Sequence, residues 1–175
     1  MMHAMEVGAM RCTAVVSCWL ALLAVPNVAH ASLAWSVAVT VDSHAAGTGL
    51  DAVACPSASL CVAVDGQGRE ATFNPQAPQG ATDAVVAGSA LIAVACPALA
   101  QCTAIDTRGE QVTFDPQSPS GATPTSIDTN AVPLSVACPS ATQCTAVDSS
   151  GEEVTFTPPS GGGRIDAPDR HDQQQ

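Results

Sequence analysis

From residue 50 onward, apolar and polar positions alternate in short bursts, each broken by Pro, Ser, Asp or Gly. Alternation with a period of two is the signature of a strand with one buried face. The bursts group into units that recur. Residues 53–73 read VACPSASLCVAVDGQGREATF, residues 94–114 read VACPALAQCTAIDTRGEQVTF, and residues 136–156 read VACPSATQCTAVDSSGEEVTF. Each unit predicts a three-stranded meander. In the first strand of the second copy Ile92, Val94 and Cys96 should share a face, as should Leu134, Val136 and Cys138 in the third; Asp51 breaks this in the first. The second strand runs from Cys61 to Asp65 with Val62 and Val64 together. The third ends in Ala71-Thr72-Phe73, where Ala71 and Phe73 face together, as do Val112 with Phe114 and Val154 with Phe156, while the intervening threonines point the other way. Cys-Pro-Ser should open a tight reversal, because Pro presets φ and Ser bonds its local backbone. Asp-x-x-Gly (Asp65/Gly68, Asp106/Gly109, Asp148/Gly151) suits a hairpin whose Gly adopts the left-handed conformation.

The spacing within a unit is fixed. The first Cys lies 18 residues before the Phe in every copy, whereas successive copies are 41 and then 42 residues apart, so the slip falls in the connector. One supersecondary unit per repeat is implied, and a period of roughly 40–45 residues belongs to propeller blades. The connectors PQAPQGAT and PQSPSGAT lead into a fourth strand at residues 83–87 and a counterpart at 125–128. Residues 32–42 also alternate, with Trp35, Val37, Val39 and Val41 on one face, and would supply a strand ahead of the first unit. The expected fold is all-β, three repeats of about four strands forming a partial propeller. A β-trefoil fits the same inventory, since it needs three repeats, whereas propellers have roughly four to eight blades.

The ends differ from this pattern. Arg11, an apolar run over residues 12–25, Pro26 and the Ala29-His30-Ala31 triplet read as a secretory signal cleaved after Ala31, with residues 32–157 as the three-repeat domain. Residues 158–175, rich in Pro, Gly and Gln, are expected to be a disordered tail. The apolar run is too short for a membrane span. Loss of residues 1–31 removes Glu6 and Arg11 and leaves the net charge at −11. All basic residues are Arg, and so acidic a chain is a poor partner for nucleic acid or an anionic membrane. Aromatic residues make up only 3% of the chain, so its core must be built from small side chains.

Two of the eight cysteines leave with the signal, and the other six form three C-x5-C pairs. An even count in an exported chain reads as disulfides, and although six cysteines admit fifteen pairings, the repetition favours Cys55–Cys61, Cys96–Cys102 and Cys138–Cys144. Loops this short contribute roughly 2 kcal/mol each in the chain-entropy model, which is substantial for a light core. C-x5-C lacks the spacing of a thiol oxidoreductase and the histidines of a zinc site.

The string L-x-x-V-A-C-P-S-x-x-x-C-x-A-V-D-x-x-G-x-x-x-T-F, followed by x-P and a G-A-T connector, resembles a blade-like repeat of secreted β-propeller-type proteins from high-GC Gram-positive bacteria. The resemblance covers nearly all of residues 32–156 and implies stacked blades, with Trp35 matching the fourth-strand Trp of that repeat. It implies no shared activity.

Candidate chemistry is sparse. The mature chain has two histidines, His44 and His171, and no G-x-S-x-G or H-E-x-x-H motif. Asp65, Asp106 and Asp148 recur at strand ends and are weak Ca²⁺ candidates, with turn capping as the plainer role. Phe73, Phe114 and Phe156 could line a groove, although core packing is the plainer role. No cofactor is expected. The expected function is that of a secreted, non-enzymatic binding module for an unidentified extracellular protein or glycan, able to form homo-oligomers through open strand edges. The alternatives are a glycan hydrolase with paired carboxylates, a lectin-like binder, and a fragment of a longer propeller.

Overall fold

Each repeat folds into its own antiparallel sheet. The computed structural model describes residues 35–44, 49–127 and 130–159. The chain divides into two compact units, Met1–Val37 and Ala38–Gln175; of the first, only residues 35–37 are described. The predicted signal and most of the predicted tail lie outside the described residues.

The first sheet contains β1 (Leu50–Ser57), β2 (Leu60–Asp65), β3 (Arg69–Phe73) and β4 (Thr82–Val85), in that order. The second contains β5 (Leu91–Ala98), β6 (Gln101–Asp106), β7 (Glu110–Phe114) and the two-residue β8 (Thr125–Ser126), again in order. The third contains β9 (Pro133–Ser140), β10 (Gln143–Asp148) and β11 (Glu153–Phe156), with no fourth strand among the described residues. Among the described residues no sheet mixes strands of two repeats. That sets aside the trefoil, whose barrel requires repeats to hydrogen-bond with one another. Instead the first strands pack side by side, β1 on β5 and β5 on β9. The sheets thus stack as three propeller blades around an unclosed axis.

The register assigns each side chain to a face. In the first blade Val53 pairs with Ala63, Ala63 with Ala71, and Cys61 with Phe73, so these lie on one side, here called the leading face. Val62 pairs with Thr72 and Val64 with Glu70 on the opposite, trailing face. One core cluster joins Val62 and Val64 to Val94, Cys102, Ala104, Val112 and Phe114 of the next blade. A second joins Ile105 of blade two to Val136, Cys144 and Ala146 of blade three, with Val154 and Phe156 packed against it. Every internal joint therefore seats the leading face of one blade on the trailing face of its predecessor. Complete burial of a side chain such as Ile105 is worth roughly 1.5–3 kcal/mol.

Three expectations need correction. Residues 35–41 form no strand: Trp35 and Val37 are 87% and 86% exposed, and the alternating stripe has no ladder partner among the described residues. Alternation marks a side a strand can bury but does not provide the neighbour that makes it a strand. Cys-Pro-Ser is not the reversal; it lies inside β1 and β9, as Cys96-Pro97-Ala98 does inside β5, where the pairing shifts register, and the turn follows at residues 58–59 in the first blade. Pro has no amide to donate and is tolerated at such an irregularity. Ile92 does not share a face with Val94 and Cys96. A register shift between Leu91 and Ala93 moves Ile92 to the second cluster, while Val94 and Cys96 join the first.

Candidate functional site

The structure joins Cys55 to Cys61, Cys96 to Cys102 and Cys138 to Cys144. Each bridge ties the first strand of a blade to its second across the register shift. Cys61, Cys102 and Cys144 are buried. These bonds fit an oxidising environment such as the extracellular space. No helix among the described residues is long and apolar enough to cross a membrane.

The turn aspartates have identical local roles. Asp65 Oδ1 accepts from the amides of Gln67 and Arg69 at 2.9 and 2.8 Å. Asp106 Oδ1 accepts from Arg108 and Glu110, and Asp148 Oδ1 from Ser150 and Glu152, at the same two distances. The amide of each turn glycine donates to the aspartate carbonyl, and Gly68, Gly109 and Gly151 have φ of 78°, 77° and 85°. The carboxylates close hairpins in three separate blades. Among the described residues no three His, Cys, Asp or Glu side chains are grouped so as to hold a metal ion. Phe114 is buried in the first cluster, and Phe156 packs against the second. Phe114 also borders a shallow depression of about 320 Å³ with Gln101, Thr113 and Asp115.

Two carboxyl environments stand apart. Arg69 at the start of β3 is paired with Asp83 of β4, and His44 Nδ1 lies 3.3 Å from Asp83 and 3.8 Å from Asp42. The hydrogen bond from Arg69, with the charges of Arg69 and His44, holds the Asp83 carboxyl below its usual range. The pair links β3 to β4, the outer strand of blade one. Glu70 is the opposite case. It is 1% exposed at the joint with blade two, and burial pushes its carboxyl up to about 7, against a stabilising hydrogen bond of 2.7 Å from Thr72 Oγ1.

The trailing face of blade three is open among the described residues. Thr103, Ile105, Gln111 and Thr113 on the trailing face of blade two are buried. Their counterparts in blade three are Thr145, Val147, Glu153 and Thr155, of which Val147 is 45% exposed and Glu153 and Thr155 are exposed. Leu134 beside them is 57% exposed. At the other end of the stack Val53 is 60% exposed, whereas its counterparts Val94 and Val136 are each 8% exposed. The repeat pattern alone does not single out these positions. The signal was nonetheless present: the last copy keeps Thr145 and Thr155 where its predecessor buries Thr103 and Thr113, and an apolar Val147 where it buries Ile105.

No family model and no curated protein matches this chain. Solved structures do. The chain is similar to the structure of YCF48 bound to D1 peptide, with a TM-score of 0.51 and 8% identity over 66% of this chain and 40% of that one. The structure of U3-55K superposes with a TM-score of 0.49 and 9% identity, over 63% of this chain and 40% of that one. The chain thus spans about 40% of the length of the structures it matches. At such identity the likeness bears on fold alone: the three antiparallel sheets match propeller blades, in an array that does not close.

Proposed function

We propose that this chain is an exported, non-enzymatic interaction module that binds an extracellular protein or glycan through the open end of its blade stack. The observation that carries this reading is the exposure of Val147, Glu153 and Thr155, whose counterparts Ile105, Gln111 and Thr113 are buried, with Leu134 exposed beside them. The apolar side chains of Val147 and Leu134 on that face gain by being covered. Export follows from the predicted signal ending at Ala31 and accords with the three disulfides. N-terminal sequencing of secreted material should begin at Ser32. Binding is tested by presenting the purified protein to glycan arrays and to immobilised extracellular proteins, with Val147→Glu as control. Retention that the substitution abolishes supports the reading; identical behaviour of both proteins refutes it.

A further inference from the structure

We infer that the trailing face of blade three receives the leading face of blade one from a second copy of this chain, head to tail. The inference rests on the interaction reading above and names the partner. Its warrant is that the chain makes this joint twice within itself. The leading face carries Val, Cys, Cys, Ala and Phe at positions 53, 55, 61, 63 and 73, and the same five residue types recur in blades two and three. The trailing face carries Thr145 and Thr155, identical to Thr103 and Thr113; Val147, where Val64 and Ile105 stand; and Glu153, where Glu70 and Gln111 stand. Both halves of a joint used at two internal positions are thus present at the two ends, and both have open residues, Val53 at one and Val147 at the other. On the leading face of blade one, Cys61, Ala63 and Ala71 are already buried, so the newly covered part is the side nearest β1.

The contact is face to face, unlike pairing of strand edges. It is heterologous, since the two surfaces differ, and a heterologous joint either closes a ring or grows without limit. Two copies supply six blades, within the roughly four to eight of known propellers; three would supply nine and exceed it. The chain also carries net charge −11, so two copies repel and the joint should tighten as salt screens them.

Sedimentation equilibrium of the purified chain across a dilution series tests this. The wild type should give twice the monomer mass, with the dimer fraction rising with salt. Val147→Glu and Val53→Glu each place a charge in the joint at an exposed position, so each should fold, as checked by circular dichroism, and each should weaken dimerisation by at least about tenfold. Mixing the two variants provides the sharper arm. Each retains the face the other has lost, so one joint can form and a mixed dimer should reappear. Val85→Glu, on the exposed outer strand, should leave the dimer unchanged. Monomer at every concentration, assemblies of more than two copies, or a mixture that stays monomeric overturns the inference. A monomeric wild type that still binds an extracellular protein or glycan in a Val147-dependent way would overturn this pairing alone and leave the interaction reading standing.

Discussion

The carbonyl of Gly68 accepts hydrogen bonds from the amides of Val86 and Ala87 at 2.9 and 3.0 Å, and a Cβ on Gly68 would lie 2.3 Å from the Ala87 carbonyl oxygen. The turn glycine therefore does two things in blade one: it takes a positive φ and it clasps the end of the outer strand. Blade two repeats the clasp, with the Ile127 amide donating to Gly109 at 2.9 Å. A Cβ on Gly151 would meet nothing within 4 Å among the described residues.

The two glycines should accordingly respond differently to alanine. Gly151→Ala carries only the left-handed backbone cost, about 1 kcal/mol. Gly68→Ala adds a backbone clash and should cost about 3 kcal/mol or more. Urea denaturation of both variants measures the difference; equal losses would show that the clasp does not form.

Glu70 predicts a pH dependence with a definite sign. Its folded value of about 7 lies above the ordinary 4.5, so the folded state holds its proton more tightly than the unfolded one. Below the ordinary value both states are protonated and there is no cost. Stability falls as pH rises between the two values, and above pH 7 the full cost applies, on the order of 3 kcal/mol. Gln111 at the equivalent position of blade two is buried without charge. Glu70→Gln should therefore raise Tm at pH 8 and leave it nearly unchanged at pH 4. Thermal melts of both proteins at the two pH values check this, and an equal shift at both would contradict it.

Ser89 Oγ donates to Asp106 Oδ2, whereas the corresponding Oδ2 of Asp148 is buried without a partner among the described residues. The connectors are in matching register there, since Thr107 donates to the Ala90 carbonyl and Ser149 to the Val132 carbonyl, each at 3.0 Å. Ala131 thus stands where Ser89 stands one repeat earlier. Ala131→Ser should stabilise blade three by roughly 1 kcal/mol, and Ser89→Ala should cost roughly 1–3 kcal/mol by leaving a buried carboxylate oxygen unpaired. Chemical denaturation of the two single variants reads both; stabilisation by neither serine would refute the equivalence.

The repeat, its strands, its hairpin glycines and the faces of the third strand were legible in the sequence because each rests on local chemistry repeated three times. Val112 with Phe114 and Val154 with Phe156 fall together as the period of two demands. The errors arose where local pattern and pairing part. Ile92 changed sides because a register shift adds a residue that periodicity does not count. Residues 35–41 have the alternation of a strand and lack its neighbour. The outer strand of blade one is held by Arg69 and Asp83, but Glu152 occupies the position of Arg69 in blade three, so no cation stands ready there. The open end face shows only when exposure is compared between copies, as with Val147 and Ile105.

The account depends on each repeat being a separate blade closed by its own bridge. Peptide mapping of the unreduced protein, secreted from an export-competent host, tests this most directly. It should recover Cys55 with Cys61, Cys96 with Cys102 and Cys138 with Cys144, and no free thiol. A bridge between different repeats, or unpaired thiols in exported material, would contradict it.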